Sequence, residues 1–104
     1  MFVRIVKSRM KVDRLAEAGR IFRATVFPLC RKQRGFKGGY FLSDPKTGET
    51  MAMTFWESED AMLATEASRF FQEQLARFVP FYVKPPIRES YEVTVQKDLK
   101  RPKS

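Results

Sequence analysis

The chain has 104 residues, 43% of them hydrophobic and 31% charged, with a formal charge of +8, one cysteine and no histidine. This composition fits one folded domain and excludes a disordered chain, an intrachain disulfide and any catalytic or metal-binding scheme built on imidazole. No apolar run is long enough to span a bilayer, so no membrane role is expected, and a lone cysteine with no signal-peptide layout points to the cytoplasm.

Phe2 to Met10 reads as a first strand, with Val3 and Ile5 on one side and Phe2, Val6 and Met10 on the other. Asp13 is the expected N-cap of a helix reaching about Gln33, and Gly35 ends it. Leu15, Ala18, Gly19, Phe22, Val26, Leu29 and Cys30 share one helical face, with Arg20, Arg23 and Arg31 opposite. Pro28 removes a backbone donor and should bend that helix or tighten its last turns. Phe36–Ser43 and Glu49–Trp56 form a hairpin around the turn residues Asp44 to Gly48. Ser58 caps a second helix, whose expected apolar face is Leu63, Ala64, Ala67, Phe71, Leu75 and Phe78. Pro80, Pro85 and Pro86 mark an extended connection to a fourth strand, Ser90 to Gln96. Residues 1–97 therefore read as one domain, and residues 98–104 as a basic tail expected to be flexible.

The order βαββαβ suits a ferredoxin-like α+β domain, a four-stranded antiparallel sheet with both helices on one face. Along the third strand Met51, Met53 and Phe55 point one way and Ala52, Thr54 and Trp56 the other. Two helices cover one face only, so an apolar sheet face remains. A second copy is the expected cover, which makes a homodimer the expected state.

The basic residues are unevenly placed, with eleven Lys/Arg against two acids in residues 1–38. The same element order occurs in RNA-recognition domains, and Arg34-Gly35-Phe36-Lys37-Gly38-Gly39-Tyr40-Phe41 echoes their aromatic strand motif. That motif belongs on the third strand, whereas the echo falls on the second and is broken by Gly38-Gly39. Nucleic acid is not the expected partner, and a solvated basic helix face accounts for the charge.

The Phe22 to Pro28-Leu29 helix followed by Arg34-Gly35-Phe36, the hairpin through Asp44 to Thr47-Gly48, and Thr54-Phe55-Trp56-Glu57-Ser58-Glu59-Asp60 together carry a family resemblance. In order and spacing the chain resembles the antibiotic biosynthesis monooxygenase (ABM) superfamily of dimeric α+β barrels. The resemblance implies a ferredoxin-like monomer, two sheets paired into a barrel, and a small-molecule pocket between helices and sheet. It implies cofactor-independent oxygenation of aromatic phenols, haem degradation or quinone-related chemistry; the alternative reading is a non-enzymatic ligand-binding or interaction dimer. The haem-degrading branch resembles a site of asparagine, tryptophan and a histidine iron ligand. Only Trp56 has a counterpart here, since the chain contains neither Asn nor His. No cofactor and no metal are therefore expected.

Three residues are candidates for binding a small apolar molecule, and no catalytic residue is assigned. Trp56 offers a flat face for stacking, or serves as a core plug. Tyr40 offers a phenol to orient or protonate an oxygen, or packs across strands. Gln74 falls inside an apolar stripe, where a buried amide must find a ligand carbonyl, a backbone group or solvent. Glu66 lies at the edge of the second helix within reach of a pocket rim, and Cys30 reads as a small buried hydrophobe.

Overall fold

The structure is a computed structural model that describes residues 1–97, and the expected tail at 98–104 lies outside the described residues. Four strands, β1 (Phe2–Met10), β2 (Phe36–Ser43), β3 (Glu49–Trp56) and β4 (Tyr82–Glu92), form one antiparallel sheet in the order β2-β3-β1-β4. Helical segments pack against one face of it, which is the ferredoxin-like α+β arrangement. The first three strands have the boundaries expected from alternation and turn chemistry.

The first helical stretch is less regular than its periodicity suggests. A 3-10 turn at Val12–Arg14 leads into α1 (Leu15–Ile21), a π-helical turn at Phe22–Val26 and the short α2 (Phe27–Cys30). Asp13 is not the N-cap, since it sits inside the 3-10 turn and no side chain caps the segment. The π turn answers Pro28, whose missing N–H leaves the ordinary i→i−4 ladder incomplete one turn back. The Phe27 N–H instead reaches the Phe22 carbonyl. Ala18, Phe22, Val26 and Cys30 face the sheet as expected, while Arg20, Arg23 and Arg31 stay exposed.

Gly35 ends this stretch at φ 84° and accepts a 2.8 Å hydrogen bond from the Glu57 N–H. A Cβ there would lie 2.7 Å from the Ala61 Cβ, so both the left-handed backbone and the close approach require glycine. Gly35→Ala should cost about 1–3 kcal/mol, read as a lowered urea midpoint. Gly19→Ala, at a helical position with nothing within 4 Å, should instead stabilise by about 0.4–1 kcal/mol.

Ser58 does cap the second helix, its hydroxyl accepting from the Ala61 N–H at 3.1 Å. The helix then breaks. α3 (Glu59–Ala67) ends at Ser68, Arg69 takes φ 69°, and α4 (Phe70–Ala76) starts afresh. This break resets the helical phase, so the expected single apolar stripe is corrected. In α3 it is Ala61, Met62 and Thr65 that are buried, while Leu63, Ala64 and Ala67 are exposed.

β4 runs from Tyr82 to Glu92 rather than from Ser90 to Gln96, so Pro85 and Pro86 lie inside a strand and not in a connection. Edge strands tolerate proline because one side of their backbone makes no ladder bonds. The pairing with β1 shifts register around those prolines, between Lys7↔Ile87 and Arg9↔Lys84, which places a bulge there.

Candidate functional site

The helix-facing side of the sheet has a floor of small side chains. Cross-strand pairs put Ser8 opposite Thr50 and Val6 opposite Ala52, with Thr54 next along β3. Two packed clusters stand on either side of this floor. One joins Met10, Ala18, Phe22, Val26, Cys30, Phe78 and Phe81; the other joins Trp56, Ala61 and Met62. In the first, Phe22 stacks on Phe41 and Phe78 with ring centroids 4.3 and 4.7 Å away. Phe70, Phe71 and Leu75 of α4 roof the space between them. Short floor residues under large roof residues leave a gap that neither layer fills, a cavity of about 60 Å³.

Its walls are apolar apart from a few hydroxyls and one amide: Ser8, Thr50, Thr54, Thr65, Gln74 and Tyr82. Most are already engaged. The Ser8 and Thr50 hydroxyls bond each other, and Thr65 donates to the Met62 carbonyl at 2.7 Å. Gln74 is buried, and its Oε1 accepts from Arg77 Nε at 3.0 Å. That leaves its amide N–H groups as what it has to offer a guest.

Trp56, 3% exposed, lines the cavity and also packs edge-on against Phe36 at 5.3 Å. It is thus a core residue and a wall at once. Its indole N–H donates to Thr54 Oγ1 at 3.0 Å, which fixes the ring and leaves its face rather than its N–H for a ligand. Trp56 and Gln74 are brought to one cavity, as their positions suggest. Tyr40 is not. It lies on the opposite face of the sheet, 61% exposed and edge-on to Phe55, so its candidacy beside Trp56 and Gln74 is corrected.

The tyrosine that does line the cavity is Tyr82, which pairs with Met10 and shares its helix-facing side. Burial pushes its phenol up to about 12. At neutral pH it is therefore a hydrogen-bond donor and not a phenolate. The signal for it was the Tyr82-Val83 pair before the prolines, hidden by setting the strand start at Ser90.

Glu66 does not open into the cavity. It bridges Arg4 at 2.5 Å and Arg88 at 2.9 Å, and both guanidiniums lie over Phe71, 5.3 and 5.9 Å from its ring centre. This charged layer backs the roof residue Phe71 and sets its position. Arg4 is legible in the sequence as a charge on the helix-facing side of β1, but its partner is not.

Cys30 is buried, and desolvation holds its thiol up at about 11. It is inert at neutral pH for want of thiolate. Unfolded, it would ionise near its usual 9.0, so the unfolded state loses its proton first. Stability should fall as pH rises from about 9 to about 11, by on the order of 2 kcal/mol. Urea titrations across that range should show the fall, and Cys30→Ala should remove the part that begins near pH 9, leaving the part above pH 10 to which half-buried Tyr82 contributes in the same sense. Among the described residues no cluster of three or more His, Cys, Asp or Glu is placed to hold a metal, and no helix is long and apolar enough to cross a membrane.

No protein-family model matches the chain, and no curated protein matches it. Solved structures do. A monooxygenase of Streptomyces coelicolor, solved with nanaomycin D bound, superposes with TM-score 0.69 at 19% identity, covering 98% of this chain and 92% of its own. A haem degrader of Mycobacterium tuberculosis, with two haems in its active site, gives TM-score 0.72 at 18% identity over 94% of this chain and 100% of its own. A protein described as an antibiotic biosynthesis monooxygenase gives 0.69 at 14% identity, covering 91% and 100%. Identities this low establish a common fold.

Proposed function

We propose that this chain, which has the fold of the antibiotic biosynthesis monooxygenases, belongs to that superfamily and binds a small apolar molecule between its helices and sheet. The class that fits is aromatic or quinone-like, and oxidation by molecular oxygen is the reaction its relatives suggest. The observation that carries this is the cavity beside Trp56, apolar in most of its walls and lined also by Gln74 and Tyr82, two residues whose side chains can donate hydrogen bonds. A flat ligand stacked on the indole would turn a carbonyl or phenol oxygen toward those donors.

The volume of about 60 Å³ holds a few waters and not a polycyclic ring system, so binding requires the roof to move. α4 is suited to that, being two turns long and set off by the break at Arg69. The haem-degrading site that the resemblance implies lacks its iron ligand here, since the chain has no histidine and its one cysteine is buried in packed core.

The second element of the proposal is a homodimer. The sheet face away from the helices exposes Tyr40, Leu42, Ile87 and Tyr91 at 47–61%. These four lie on the two outer strands, with the half-buried Ile5, Met51, Met53 and Phe55 between them, an apolar face of the kind that marks an interaction surface. Packing two such faces together gives the paired-sheet barrel and closes the floor of each cavity from behind. The cytoplasm remains the expected location.

Oxygen uptake measured with a panel of phenols and hydroquinones tests the function. Turnover that depends on Trp56 supports oxygenation. Binding without oxygen uptake supports the second reading, a non-enzymatic ligand carrier. Full turnover in Trp56→Phe and Trp56→Ala alike would remove the cavity from the account.

A further inference from the structure

Two side chains of the cavity also line a separate recess. Tyr82 and Leu75 face both the cavity and a groove of about 530 Å³ that runs between α4 and β4 on the surface. They are therefore shared walls between a narrow space under α4 and a more open one on the surface. The rest of the groove is mainly apolar: Ala76, Val79, Val83, Pro85 and Pro86. Val79 and Val83 are 64% and 58% exposed, Val79 beside the buried Phe78 and Val83 beside the half-buried Tyr82. Gln72 lines the groove as well, and its Oε1 is buried without a hydrogen-bond partner. Such an oxygen is costly unless something donates to it.

All of this hangs on one short element. α4 supplies Leu75 to the wall and Gln72 and Ala76 to the groove. It is bounded by left-handed Arg69 on one side and by the 3-10 turn Val79–Phe81 on the other. A shift of α4 that enlarges the cavity would part Leu75 from Tyr82 and join the two recesses. An apolar trough continuous with a ring-binding cavity is matched by an apolar extension of the same guest. Water is a poor occupant of such a surface.

We infer, resting on the cavity reading above, that the ligand is an amphiphile. Its flat aromatic or quinone head lies against Trp56, and its apolar tail passes between Tyr82 and Leu75 into the groove between α4 and β4. Gln72 Oε1 accepts from a donor at the neck of the ligand, or from a water held there.

The test uses the lone tryptophan as reporter, since a quinone stacked on Trp56 quenches its fluorescence. The full chain is titrated with 2-methyl-1,4-naphthoquinone and with its 3-decyl counterpart, each also against Val83→Glu and Val79→Glu. Both substitutions fall on exposed positions, so folding is preserved. The expected result is that both probes quench and the decyl probe binds at least tenfold more tightly. Either substitution should erase that gain while leaving the short probe within about twofold. Equal affinities for the two probes would overturn the tail site and leave the cavity reading standing. So would a tail gain that survives both substitutions. Failure of both probes to quench would remove the cavity reading and this inference with it.

Discussion

Trp56→Ala should destabilise the fold by about 3–5 kcal/mol and abolish ligand binding. The indole is 3% exposed, joins Ala61 and Met62 in one cluster, and meets Phe36 edge-on. Removing it opens a void at the seam between β3 and α3, where Gly35 and the Ser58 cap also hold the chain. A loss of this size is a large share of the roughly 5–15 kcal/mol that keeps a domain folded, so the alanine variant alone would confound packing with binding. Trp56→Phe separates them. It retains an aromatic face and most of the volume but leaves Thr54 Oγ1 without the indole donor. About 1–2 kcal/mol of stability should be lost, with affinity weakened and not erased. Urea unfolding and ligand titration on the same samples give both numbers.

Glu66→Ala should be nearly as damaging, at about 3–5 kcal/mol, although Glu66 touches no cavity. It would leave Arg4, 8% exposed, as a buried charge with no counter-ion, keeping the Glu89 carbonyl at 3.4 Å and the face of Phe71. Arg88→Ala should cost less than about 1 kcal/mol, because that side chain is 56% exposed and its pairing is screened by water. The double replacement Arg4→Met with Glu66→Leu should recover most of the loss, since no buried charge is then left unpaired and Arg88, 56% exposed, is solvated by water. A double-mutant cycle by urea unfolding measures the coupling. Near-additivity of the two single losses would show that the pair does not act as a unit. The ligand should respond through Phe71, which both guanidiniums back.

The parts of the fold that could be read in advance are those set by local chemistry. The hairpin limits at Ser43 and Glu49 follow from Asp44 and Gly48, and the cap at Ser58 from its hydroxyl. The breaks that were missed depend on tertiary contacts. Nothing in Ser68-Arg69 announces a left-handed residue, because glycine, the usual occupant, is absent there. Pro85 and Pro86 read as a connection because their tolerance depends on β4 being an edge strand, a fact of sheet order. The same dependence hides Tyr82, which reads as part of a connection until the strand is known to start there. Trp56 and Gln74 were legible, one as the lone indole at a strand end, the other as an amide in an apolar stripe. The cavity itself was not, because it arises from the pairing of Ser8 with Thr50 and of Val6 with Ala52, and pairing register is not written in either strand alone.

Native mass spectrometry of freshly purified protein, with small molecules retained, tests the central claim most directly. The account predicts a dimer that carries one aromatic or quinone-sized molecule per subunit, or takes one up on incubation with a naphthoquinone, and that loses this capacity in Trp56→Ala. A monomer at micromolar concentration, or a dimer that stays empty after incubation with quinones and phenols, would contradict it.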